Sequence, residues 1–356
     1  MENKNIPILH LYRFLAALSV VIFHYRIFYS SDVSKFAISQ KIQPFYNFLL
    51  YPYEYGWMAV QFFFFLSGFV FYLTYLDKIN VTEINFKKFF ILRFSRLYPL
   101  HFFTLLLVVV IFLVQGRHIL LQNIDIWHLL LNFFLIQNWG MENGPSFNEP
   151  SWSISIEIMM YLIFYFIAKN KRFVWYTTPI LIIISALVFF EKKLIGYGGF
   201  CFFLGGFVFL IYEKIKKING YNKLKFFIFS IFFLITLFFL TVLKYTQLSP
   251  TEIKIIIIVF LFPLILTTSI MYKIKIKKIS NFFNFLGNIS YSTYLLHFPL
   301  QIIILTFLKH QGTRFDFNNQ FFFLLYIFFI IFSSTASYVF FENKIKIYIR
   351  KKFKNC

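Results

Sequence analysis

Charge is scarce in this chain of 356 residues: Asp, Glu, Lys and Arg together make up 14%, against roughly a quarter in soluble proteins. With 59% hydrophobic residues beside it, that deficit excludes an ordinary water-soluble globule. Cysteine is scarcer still. Cys201 sits inside an apolar run and Cys356 is the last residue, so neither a disulfide framework nor a Cys/His metal spacing is available, and no metal site is expected. The first apolar run lacks an A-x-A cleavage site, which marks it as a retained first helix rather than a signal peptide. No polar stretch is long enough to fold alone and no fixed-period repeat occurs, so residues 1–356 read as a single polytopic domain with no separate soluble part.

What the chain does have is apolar runs of about 17 to 22 residues, the length a bilayer demands of a helix. Phe alone contributes 57 residues, which lipid tolerates on any helix face. The runs predict spans over 8–29, 57–76, 99–115, 152–168, 174–190, 195–212, 226–243, 253–272, 288–308 and 320–341. Connections at 77–98, 169–173, 213–225 and 273–287 and the tail from Asn343 are rich in Lys and Arg, and they alternate with basic-poor connections. The fold class expected is therefore an all-α integral membrane protein of about ten transmembrane helices, with N- and C-termini cytoplasmic. The same asymmetry accounts for the net charge of +21 without a nucleic-acid partner. The basic loops face anionic lipid headgroups, or a phosphorylated cytosolic ligand. The stretch from Trp127 through Trp139 is apolar but short, and it is placed as an interfacial or re-entrant element on the outer side.

An ionisable group inside a span is costly, so it faces the protein interior and marks a candidate site. Arg13 and His24 lie on the first helix. Eleven steps of about 100° return within about 20° of the start, so both share one face, about 16 Å apart along the axis. Either residue alone also fits a bland role, an arginine snorkelling to headgroups or a histidine bonded to a neighbouring helix. Glu157, in the fourth span, lies at a depth matching that of His24, each roughly 8–9 Å below the outer end of its helix. A His–Glu pair suits general-base chemistry on a hydroxyl, the bland alternative being a structural ion pair or a proton relay. Arg93 and Arg96, three apart on a helix leading into the third span, face the same way. They can grip phosphates bidentately or serve as topology signals. Of the other histidines, His101 and His297 fall in spans, while His10, His118, His128 and His310 fall near interfaces or in loops.

Five stretches in order carry a resemblance. They are Leu11-Tyr12-Arg13-Phe14-Leu15-Ala16-Ala17 through His24; Gln61 through Phe69 with its Ser67-Gly68; Arg93-Phe94-Ser95-Arg96-Leu97-Tyr98-Pro99; Ser151-Trp152-Ser153 through Glu157; and Ile289-Ser290-Tyr291 through Tyr294-Leu295-Leu296-His297. Together they resemble the membrane-bound acyltransferase-3 family, whose members O-acylate cell-envelope glycans and related acceptors. The resemblance implies a membrane O-acyltransferase with His24 as catalytic histidine and Glu157 as active-site acid. Arg13, Arg93 and Arg96 would hold the donor, and Ser151, Trp152, Tyr291 and His297 would give support. It implies no bound cofactor, with acyl-CoA, foremost acetyl-CoA, as co-substrate. The acceptor would be a glycan such as O-antigen, capsule or another exopolysaccharide, and the location the bacterial cytoplasmic membrane. The last span departs from the pattern, since Phe340-Phe341-Glu342-Asn343-Lys344 lacks the Pro that often follows the Glu, and Glu342 receives no role. A secondary transporter or flippase of glycan or lipid precursors is the rival reading, because it too would place His, Glu and Arg inside a bundle.

Overall fold

A computed structural model of the protein describes residues 6–29, 42–115, 123–218 (without 143 and 192), part of 230–241, 250–271, 276–311 and 315–353. These residues form helices joined by short turns, and they contain no β-strand. The helices are α1 (Pro7–His24), α2 (Leu50–Tyr55), α3 (Met58–Asn80), α4 (Phe86–Gln115), α5 (Ile126–Phe134), α6 (Trp152–Ala168), α7 (Lys171–Phe190) and α8 (Leu194–Ile215). Then come α9 (Pro250–Ile256), which runs through a π turn into α10 (Phe262–Met271), α11 (Lys277–His310), α12 (Gln320–Ala336) and α13 (Asn343–Lys352). Among the described residues, nine helices or fused helix runs are long and apolar enough to cross a membrane. They coincide with nine of the ten expected spans. The remaining one, 226–243, falls for the most part outside the described residues.

Local chemistry explains where the helices start and stop. The Asn170 side chain accepts from the backbone N–H groups of Arg172 and Phe173, and Asn319 does the same for Phe321 and Phe322, each satisfying donors that a first turn leaves open. Asp125 caps α5 by accepting from the His128 N–H, and Leu135 ends it in the left-handed conformation at φ 57°. With nine residues, α5 rises only about 14 Å and cannot cross a hydrocarbon core of about 30 Å. On α12, Phe321, Leu324, Phe328 and Phe332 are exposed along one face while Phe323, Tyr326, Ile330 and Ser334 are buried on the other. That outward apolar stripe is what a lipid-facing helix carries, and it gives the abundant phenylalanine a solvent other than water.

Two compact units divide the chain, and neither is contiguous in sequence. One comprises Met1–Tyr12, Gln61–Ile84 and Met160–Asn284; the other comprises Arg13–Val60, Asn85–Met159 and Phe285–Cys356. In the first, small residues let α3 and α8 touch backbone to backbone. A Cβ added at Gly68 would fall 1.8 Å from the Phe202 carbonyl oxygen, and one at Gly205 would fall 2.0 Å from that of Phe65. Tyr72 and Thr178 share a buried hydroxyl hydrogen bond of 2.8 Å, and Lys171 joins Asp77 and Glu213 at 2.6 and 3.3 Å. Overpacking a core typically costs about 1–3 kcal/mol, and here the obstacle is main chain that no rotamer change can move. Gly68→Val is therefore expected to reduce the yield of monodisperse protein several-fold in fluorescence-detected size exclusion. Wild-type yield would show that α3 and α8 do not need this close approach. The second unit holds an aromatic cluster of Tyr25, Phe28, Tyr53, Phe323 and Tyr326 around Val21, Ile22 and Ile330, and it contains all the groups described next.

Candidate functional site

His24 is the last residue of α1, after which the chain tightens into a 3-10 turn over Tyr25–Phe28. Its Nδ1 lies 2.9 Å from the Val20 carbonyl one turn back. A carbonyl oxygen only accepts, so Nδ1 carries the hydrogen and Nε2 keeps the lone pair. The Nε2 of His297, on α11, is 3.3 Å from the same Nδ1, with ring centroids 5.0 Å apart. One turn further along α11, the Gln301 side-chain N–H donates to the His24 carbonyl at 2.9 Å. One turn earlier, Tyr294 sets its ring 6.0 Å from that of His297, donates its hydroxyl to the Pro150 carbonyl at 2.8 Å and meets the Ser153 hydroxyl at 2.8 Å. Three polar residues spaced by three and four on an apolar helix thus line one stripe, and they bind α11 to the end of α1 and to the start of α6.

Glu157 does not join the imidazole. The hydrogen-bond partners of His24 are Val20 and His297, whereas Glu157, like Glu149, lies within electrostatic reach of Tyr294. The pair expected from matched depth is therefore replaced by a His–His contact, because depth along a helix does not fix which neighbour a side chain faces. Arg13 shares the unbroken helix α1 with His24, as its spacing requires.

Beside this stripe runs a buried polar network built on α5 and the segment after it. His101 on α4 meets the Asn132 carbonyl at 2.8 Å, and Asn132 donates to the Ser146 hydroxyl at 2.7 Å. Ser151, fully buried, accepts from Gln137 at 3.0 Å, and Trp152 opens α6 beside it. Asn148 donates to Thr104 at 3.0 Å and to the Leu295 carbonyl at 3.2 Å. His128, assigned above to ordinary surroundings, is buried on α5 with Nδ1 2.6 Å from Asp125 Oδ2. The His128 backbone N–H holds the Asp125 carboxyl below its ordinary range. Burial pushes the Glu142 carboxyl up, opposed by the Ser146 hydroxyl that donates to it and by nearby His128.

A second constellation gathers where α4 meets the end of the last long helix run. Arg350 on α13 donates from Nε to the Ser95 hydroxyl at 3.1 Å and from Nη2 to the Leu92 carbonyl at 3.2 Å. Lys346 lies within electrostatic reach of Arg350, Arg96 and Glu342. The Glu342 carboxylate, at the end of a π turn over Ser337–Glu342, accepts from the hydroxyls of Ser292 and Ser337. Tyr291 donates to the Leu97 carbonyl at 2.6 Å, so it braces α4 beside Arg96 rather than the histidines. Arg96 and Lys346 flank the Glu342 carboxylate and Arg350 lies within reach of Lys346, which leaves a net positive patch that favours a polyanion. Arg93 lies about one turn before Arg96 on the same helix.

The family model described as an acyltransferase domain, acyltransferase-3, matches residues 6–342, nearly the whole chain. The chain belongs to the acyltransferase-3 family. It is also 38% identical over 112 residues to the acyltransferase MdmB of Streptomyces mycarofaciens; the match covers 31% of this chain and 27% of that protein. No solved structure matches.

Within the acyltransferase-3 pattern, the first-helix His24 and the ninth-span His297 meet, and Ser151 joins the adjoining network. Arg96 acquires neighbours, Glu342 and Lys346, that the motifs do not name. Lys346 and Arg350 were hidden in a tail that reads as a topology signal, although their spacing of four is the signature of one helix face. Tyr294 and Gln301 were legible as a polar stripe through His297, with spacings of three and four. Glu342, given no role above, sits half-buried among hydroxyls beside Arg96 and Lys346.

Proposed function

We propose that this protein transfers an acyl group, most simply acetyl, from cytoplasmic acyl-CoA to a hydroxyl of a cell-envelope glycan at the outer side of a bacterial cytoplasmic membrane. The observation that carries the reading is the fixed tautomer of His24 beside His297, inside a chain of the acyltransferase-3 family. The N- and C-termini are cytoplasmic, so the donor's phosphates meet Arg93, Arg96, Lys346 and Arg350. Glu342 orients Arg96 and Lys346 between its two hydroxyl partners. The acyl-bearing arm follows the face of α1 from Arg13 towards His24, a rise of about 16 Å.

At the reacting end, the Nε2 lone pair of His24 takes the acceptor hydroxyl proton as that oxygen attacks the thioester carbonyl carbon. The carbon–sulfur bond breaks, and the imidazolium returns the proton to the departing thiolate. Val20 holds the Nδ1 hydrogen throughout, as the orienting partner does in other His-dependent acyl transfers, while Glu157 acts through the Tyr294 neighbourhood. Mass spectrometry of envelope glycans from cells with and without the gene tests this reading. An acetyl or longer acyl increment that depends on the protein is expected. Unmodified glycans that fail to reach the surface without it would instead establish a transporter.

A further inference from the structure

Three buried carboxamides around the polar stripe share one habit. Gln301 donates its N–H to the His24 carbonyl, Asn148 to the Leu295 carbonyl and Gln137 to the Ser151 carbonyl. Since each NH₂ faces a main-chain oxygen that can only accept, the orientation of each amide is set, and the carbonyl oxygen is what remains. In all three that oxygen is buried and meets no hydrogen-bond donor in the protein. The Oε2 of Glu149, next to Asn148, is in the same condition. Buried polar atoms are almost always satisfied, and leaving one without a partner is costly, most of all when it is charged. A run of such acceptors is what a site for a donor-bearing ligand presents.

Gln301 holds the main chain of His24, Asn148 holds that of Tyr294's neighbour Leu295, and Glu149 lies within electrostatic reach of Tyr294. The orphaned oxygens thus belong to residues attached directly to the His24–His297–Tyr294 line. We infer that Asn148, Glu149 and Gln301 form an acceptor subsite that binds a neutral polyol through several of its hydroxyl donors, and that turns away an acceptor bearing a carboxylate or phosphate beside the reacting hydroxyl. Amide oxygens and a carboxylate attract O–H groups and repel anionic oxygens, and the surrounding apolar span strengthens both effects. The inference rests on the acyl-transfer reading only for what the subsite feeds.

Methyl glycosides of glucose, galactose and mannose, and the corresponding methyl uronides, serve as probes with purified protein in detergent. Two quantities are measured: the rise in thermal unfolding midpoint with probe concentration, and the consumption of acetyl-CoA. Wild-type protein is expected to be stabilised by at least one neutral glycoside and not by its uronide. Glu149→Gln keeps the shape but removes the ionisable carboxyl, so it should need about tenfold or more of the neutral probe for the same shift and lose its discrimination against the uronide. Glu149→Asp, which keeps the charge, should retain the discrimination and guards against a variant that merely folds poorly. No stabilisation of wild type by any neutral glycoside, equal stabilisation by glycoside and uronide, or an unaltered glycoside dependence in Glu149→Gln would each overturn the subsite. Discrimination that persists without any acetyl-CoA consumption would keep the subsite and remove the acyl-transfer reading instead.

Discussion

His24→Ala is expected to abolish acyl transfer while leaving the amount of folded protein in the membrane unchanged. General-base catalysis typically contributes about 10²–10⁴-fold, so residual activity above about a tenth of wild type would remove His24 from the chemistry. Folding should survive because what Gln301 grips is the His24 carbonyl, which alanine retains. The imidazole itself gives only its Nδ1 hydrogen to Val20 and a contact to His297. His297→Ala should reduce kcat more than the donor KM, since its ring bears on how His24 is held. The double variant should be little worse than His24→Ala alone, because groups acting as a unit do not lose activity multiplicatively. Running the same cycle with Glu157→Gln separates two pairings. Strong non-additivity with Glu157 would restore the His–Glu pair; independent losses leave the carboxylate working through Tyr294.

The sequence made some of this legible and concealed the rest for physical reasons. Nine spans followed from run length, and Arg93 and Arg96 do lie on the unbroken helix that becomes the third span. The short segment around Trp127 was read as non-spanning, and α5 ends after nine residues at Leu135. Along one helix the 3.6-residue period fixes both rise and face, so the relation of Arg13 to His24 was readable. Between helices only depth is readable. Glu157 and His24 matched in depth, yet His24 meets His297 on α11. Tail residues suffered a different concealment: Lys346 and Arg350 satisfy the positive-inside bias as well as they would a ligand, and it is the bonds from Arg350 to Ser95 and Leu92 that show the tail helix attached to α4. π turns concentrate at functional sites, but nothing in Phe340-Phe341-Glu342 announces one.

Arg96→Gln and Lys346→Gln are each expected to raise the apparent KM for acetyl-CoA more than tenfold, with kcat at saturating donor within a few-fold of wild type. Both side chains are partly buried, so a phosphate held between them would be less screened than one on an open surface. Charge-assisted hydrogen bonds contribute about 1.5–3 kcal/mol each, and about 1.4 kcal/mol corresponds to a factor of ten. Binding energy spent on the donor's phosphates is the same before and during reaction, which is why KM should carry the effect rather than kcat. The double variant should fall further, and raising ionic strength should weaken donor binding in wild type more than in either variant. Glu342→Gln tests the arrangement from the other side. Removing the carboxylate makes the patch more positive but frees Arg96 and Lys346 from their common partner, so donor affinity should drop despite the added charge. A rise in affinity for Glu342→Gln would show that the carboxylate merely opposes the phosphates. Unchanged donor dependence in both cation variants would return Arg96 and Lys346 to the role of fixing which side of the membrane these helices face.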